Sequence, residues 1–111
     1  MAATLQPPQW SCTTVVEDGR IHIRPQGELD LAVAQELCDA LDRAIASHTP
    51  ATVDLAELTF IDSTGLSCFL SAAAAAREAG IALELLPGNA AVMRLFELTG
   101  TVDVLPFRLT S

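Results

Sequence analysis

The sequence has 111 residues, half of them apolar and 18% charged, a balance that suits one compact core and excludes global disorder. Its 14 acidic residues outweigh 6 basic ones, all arginine, for a net charge of −8. Such a chain repels phosphate backbones and anionic lipid surfaces, which argues against nucleic acid as a direct ligand and makes basic proteins the natural partners.

In chain order, residues 1–12 read as a flexible N-terminal segment ahead of a single domain over 13–111. The opening MAATLQPPQW has no positive segment and no apolar signal core, so a cytoplasmic location is expected. Two strand-like runs, 13–17 and 21–25, flank Asp18-Gly19, a strong hairpin signal. Pro25 is expected to end clean pairing and Gly27 to allow a bend. After Asp30 a helix is predicted over 31–47, with Ala34, Leu37, Cys38, Leu41 and Ile45 on its apolar face. A short strand follows at 51–55, then a turn and a second apolar piece over 58–61. Asp62-Ser63-Thr64-Gly65 then leads into a helix to residue 79, stopped by Gly80, with Leu66, Phe69, Leu70, Ala73 and Arg77 on one face. A strand over 81–86 precedes the turn Pro87-Gly88-Asn89. A helix over 90–99 is expected to bury Val92, Leu95 and Phe96, and 102–105 reads as a last extended piece. The order β-β-α-β-α-β-α-β predicts an α/β domain: a hairpin, then βα units, in a mixed sheet covered by three main helices.

The apolar stretch over 65–76 is too short and too alanine-rich to span a bilayer, so no membrane insertion is expected. Cys12, Cys38 and Cys68 are odd in number and form no CxxC, so neither a disulfide framework nor a metal site is indicated. Cys38 and Cys68 fall within helical apolar patterns and read as inert buried thiols. His22 and His48 are isolated and read as structural or surface residues. No glycine-rich phosphate loop is present, and no cofactor is implied.

Chemistry concentrates at Asp62-Ser63-Thr64-Gly65, where a strand hands over to a helix. One reading is purely structural, because Asp, Ser and Thr all cap the orphan N–H groups of a first turn. The other is that a hydroxyl here accepts a phosphoryl group, which the helix dipole would favour, with Gly65 leaving room for a partner. Serine-hydrolase catalysis needs a positioned base, and Ile61 stands where a GxSxG elbow has glycine. An enzyme is therefore not expected.

The stretch around VDLAELTFIDSTGL resembles the signature of STAS-domain anti-sigma factor antagonists. Gly27-Glu28-Leu29-Asp30 is similar to that family's second hallmark, and VMRLFELTG to its third. The resemblance implies a single STAS-like domain that binds an anti-sigma factor, a GHKL-type serine kinase, and so releases a sigma factor. It implies that the kinase phosphorylates Ser63 to end binding and that a PP2C-type phosphatase reverses this; ATP and Mg²⁺ belong to the kinase. It places Glu28, Asp30, Asp62, Ser63, Thr64, Gly65 and Leu66 at the partner-binding face. Asp30 is either the partner of a kinase Arg or Lys, or the cap of its own helix, or both. The same domain also serves as the STAS subunit of lipid-transport ABC complexes, docked on an ATPase.

Overall fold

The computed structural model describes residues 10–108. In chain order these form strand β1 (Trp10–Glu17), β2 (Arg20–Leu29), helix α1 (Ala34–Ala46), β3 (Ala51–Asp54), β4 (Leu58–Ile61), α2 (Ser63–Ala79), β5 (Leu83–Leu86) and α3 (Ala90–Leu98). A 3₁₀ turn, Thr101–Asp103, follows. The predicted α/β class holds, with three helices on a mixed five-stranded sheet.

The hairpin forms as expected. Asp18 (φ 52°) and Gly19 (φ 75°) both adopt the left-handed conformation that a two-residue turn between twisted strands demands. Pairing runs further than predicted, because Trp10, Ser11 and Cys12 join β1 opposite Gly27, Gln26 and Pro25. Trp10 also donates its indole N–H to Glu36 of α1 at 2.9 Å. Pro25 does not end β2. The other edge of that strand pairs with β3 over Ile21–Ile23 and with β4 over Gly27–Leu29, so the proline falls in the gap between two partners. Gly27 then takes φ 96° at a register shift, a bulge that re-aims the last residues of β2 along β4.

Alternation along β2 sets the core. Ile21, Ile23, Pro25 and Leu29 point inward while His22 and Arg24 point out, the latter paired with Asp54 at 3.4 Å. Inward residues of β3 to β5 meet Leu37 and Leu41 of α1, Phe69 of α2, and Val92 and Phe96 of α3. The Phe96 ring lies 6.2 Å from that of Phe69 and 5.0 Å from Phe107, joining α2, α3 and the C-terminal segment.

Several expectations are corrected. Helix α1 starts at Ala34 rather than residue 31, because Asp30 to Val33 form a separate turn, with the Val33 and Ala34 N–H groups both donating to the Asp30 carbonyl. The buried face of α1 includes Ala40 and Ala44, and Ile45 is only partly buried; Leu95 of α3 is likewise partly buried and Arg77 of α2 is exposed. Residues 102–105 are not a strand: the extended piece comes later, where Leu85 pairs with Phe107. The largest correction concerns cysteine. Cys38 and Cys68 are joined in a disulfide between α1 and α2, with Cα atoms 5.4 Å apart. Each cysteine fits a helical apolar pattern, and only the packing of the two helices brings them together.

The bulge supplies a test of this register. Gly27→Ala forces a side chain into a left-handed backbone and should cost about 1–2 kcal/mol. Urea unfolding should show a lower midpoint with an unchanged slope.

Candidate functional site

Parallel pairing of β2 with β4 brings Leu29 opposite Ile61. The Asp62 N–H extends the ladder by donating to the Leu29 carbonyl at 3.1 Å. The two residues that follow these partners are Asp30 and Asp62, so two aspartates 32 positions apart in sequence end neighbouring strands at the carboxyl edge of the sheet. Each then opens a turn. The Asp30 Oδ1 accepts from the Ala32 N–H at 3.0 Å, which caps the turn ahead of α1; the N-cap position of α1 itself is Val33, which makes no side-chain cap.

Asp62 is the cap of α2. Its Oδ1 accepts from the N–H groups of Thr64 (3.0 Å) and Gly65 (3.2 Å) and from the Thr64 hydroxyl. The Thr64 hydroxyl, together with the N–H groups of Gly65, Thr64 and Leu31, holds the Asp62 carboxyl below the usual carboxylate range against the opposing effect of burial. Of the three candidate caps, one does the capping. Thr64 spends its hydroxyl on Asp62, and Ser67 donates its own to the Ser63 carbonyl at 3.0 Å. Ser63 is exposed at the first position of the 17-residue helix, and among the described residues its hydroxyl makes no hydrogen bond.

Gly65 and Leu66 face the other way. A Cβ on Gly65 would lie 2.6 and 2.8 Å from the Leu29 side chain and 3.0 Å from Ile61, so glycine lets the first turn of α2 press onto the paired strand ends. Leu66 is only 7% exposed and belongs to the core. The outer surface at this end is made of Asp30, Ser63 and Thr64 together with Leu31, 74% exposed, and Phe60, 47% exposed. Glu28 is exposed beside Phe60, its register partner on β4. Sequence reasoning missed Leu31 and Phe60. By periodicity Leu31 falls in a helix that in fact starts three residues later, and Phe60 reads as one more apolar residue of a buried strand.

Neither histidine reaches this edge. His22 is seven residues up β2 from Leu29, about 23 Å at strand rise, and His48 follows the far end of α1. Among the described residues no group of three or more His, Cys, Asp or Glu side chains is placed to hold a metal, and no helix is long and apolar enough to cross a membrane.

The family model described as "Mlab, STAS domain" matches residues 12–106. An anti-sigma-B factor antagonist of Listeria monocytogenes is 32% identical over 89 residues, covering 79% of this chain and 78% of that protein. One from Staphylococcus epidermidis is 31% identical over 94 residues, covering 83% and 86%. In fold, the chain is similar to the crystal structure of an anti-sigma factor antagonist from Mycobacterium paratuberculosis, with a TM-score of 0.78 at 22% identity over 96% of this chain and 92% of that one. It is also similar to the Bacillus cell fate determinant SpoIIAA in its phosphorylated form, with a TM-score of 0.68 at 18% identity over 92% and 91%. The chain belongs to the STAS-domain family of anti-sigma factor antagonists.

Removing the cap tests the site's construction. Asp62→Ala should cost about 1 kcal/mol at neutral pH, as lost N-caps do. Because folding lowers the Asp62 pKa, its contribution is complete above the unfolded value near 3.9 and is lost as pH falls through the native one. The stability gap between wild type and variant, measured by urea unfolding across pH, should therefore narrow below about pH 4.

Proposed function

We propose that this chain is a cytoplasmic partner-switching protein that binds an anti-sigma factor serine kinase of the GHKL type while Ser63 is free. It releases that kinase when Ser63 is phosphorylated, and a PP2C-type phosphatase restores the binding form. The observation that carries this reading is the division of labour at the start of α2. Asp62 caps the helix and Thr64 supports Asp62, which leaves the exposed Ser63 hydroxyl without a structural task. Modifying Ser63 therefore leaves the cap intact.

The electrostatics favour a switch of binding rather than of folding. A phosphate adds roughly −1.5 to −2 charges at the positive end of a helix dipole, which tolerates it within the domain. The same charge joins Asp30 and Asp62 on one edge, raising the local negative charge that a docked partner must accommodate. A tight interface formed with the neutral hydroxyl loses both fit and charge balance. Asp30, its carboxylate engaged only by the Ala32 N–H among the described residues, is the residue placed to meet an Arg or Lys of the kinase. Leu31 and Phe60 add apolar area to the same end of the domain. Glu28 lies around the sheet edge, while Gly65 and Leu66 serve the interface by positioning Ser63. In this reading the chain is a substrate and a binder, and the catalysis belongs to its partners.

Binding of Ser63→Asp and Ser63→Ala to the cognate kinase tests the switch. Ser63→Ala should bind within about threefold of wild type, and Ser63→Asp should lose at least tenfold, about 1.4 kcal/mol. Both should keep the wild-type circular dichroism spectrum. Equal retention of the kinase by the two variants would sink the reading, and capture of a transporter ATPase in its place would favour docking as an ABC subunit. With kinase and ATP, mass spectrometry should find one phosphate, on Ser63 and not on Ser67 or Ser71.

A further inference from the structure

The Cys38–Cys68 disulfide is not needed to explain a phosphorylation switch, and its position is informative. Cys68 lies five residues after Ser63, on α2; Cys38 lies in the second turn of α1, which follows directly from the turn of Asp30 and Leu31. The bond thus joins the two helices whose starts form the acidic edge. One of its two cysteines, Cys38, is partly exposed. A groove of about 330 Å³ between the helices is lined by Leu31, Gln35, Thr64 and Ser67 together with both cysteines. Cys68 is 5% exposed and Cys38 is more open.

We propose that Cys38 and Cys68 form a reversible thiol switch that controls how firmly the Asp30–Leu31 turn is held against Ser63. A thiolate of a dithiol reductant enters the groove and attacks Sγ of the more exposed Cys38. The S–S bond breaks, Cys68 leaves as a thiolate and takes up a proton, and a mixed disulfide remains on Cys38. The second thiol of the reductant attacks that mixed disulfide, releasing the Cys38 thiol and closing the reductant's own disulfide. Two electrons and two protons pass from reductant to protein. The reduced state has a place for its new donor, because Sγ of Cys68 lies 3.3 Å from the Ala34 carbonyl oxygen. Reduction therefore exchanges a covalent link between α1 and α2 for a weak S–H contact between the same helices. In a reducing compartment, a disulfide that a groove leaves accessible is of the transient, regulatory kind.

The remaining cysteine does not compete. Cys12 sits in β1, where burial and the nearby Glu36 push its thiol pKa up against the opposing pull of Arg43, keeping it protonated and slow to react.

The test uses the full chain in two arms. In the first, folded protein is treated with dithiothreitol, then with N-ethylmaleimide, without denaturant. Intact mass should rise from at most one label before reduction to two or three after it, with Cys38 and Cys68 labelled, and reoxidation with glutathione disulfide before the maleimide step should return it to at most one. Amide hydrogen exchange over residues 30–35 and 63–67 should speed up at least fivefold in the reduced form while the sheet amides stay protected. A disulfide that yields only after unfolding, or exchange that is the same in both forms, would overturn the proposal. Chemical reduction of the wild type makes the result independent of whether Cys38→Ser or Cys68→Ser folds well. The second arm rests on the functional reading above: the oxidised form should bind the kinase at least threefold more tightly than the reduced form. Equal affinity there removes the switch from partner control. Loss of binding in both forms overturns the antagonist reading and leaves the result of the first arm untouched.

Discussion

The short parallel pairing between the end of β2 and β4 is the constraint on which the functional edge depends. It sets Leu29 beside Ile61, and from that register the next residue on each strand is an aspartate. Both strands then turn away from the sheet into helices, so the carboxylates remain at the rim. Because side chains alternate along a strand, a slip of one residue would bury the aspartates and expose the two aliphatic side chains. The bulge at Gly27 makes this register reachable, since β2 pairs with β3 first and with β4 only after its direction is adjusted. Pro25 occupies the interval between those two partners.

Local capping chemistry then separates stability from reactivity. A helix start needs an acceptor for its first N–H groups, and Asp62 meets that need with one oxygen shared between Thr64 and Gly65. Gly65 allows the same turn to lie against Leu29 and Ile61, where any side chain would collide. These two residues hold Ser63 outward without using its hydroxyl. Capping thus falls to Asp62 and leaves the neighbouring Ser63 hydroxyl unused among the described residues, so that under the proposed switch a covalent change at Ser63 need not unfold the helix start.

The acidic rim also gives the net charge of −8 a location. Much of that charge is dispersed over solvated helix faces, and Arg24 and Arg108 neutralise Asp54 and Glu84 elsewhere on the sheet. At the rim, Asp30 and Asp62 follow paired strand ends and form no arginine ion pair among the described residues. A basic partner surface is complementary to that edge, and a phosphoryl group added there acts on a surface that is already negative.

The hairpin turn, the three helices, the cap at Asn89 and the stop at Gly80 were readable in the sequence. Each depends on a few consecutive residues whose backbone preferences are strong. The three family-like blocks likewise pointed to the family that the family model matches over residues 12–106. What the sequence left open were matters of distance between segments far apart in the chain. Whether Asp30 capped α1, which of three oxygens capped α2, and that Leu31 and Phe60 would face outward all depended on how β2 and β4 met. Cys38 and Cys68, 30 residues apart, read as two separate core thiols, because helical periodicity reports which face of one helix is buried and not which neighbour it meets. Only the packing of α1 against α2 made them a pair.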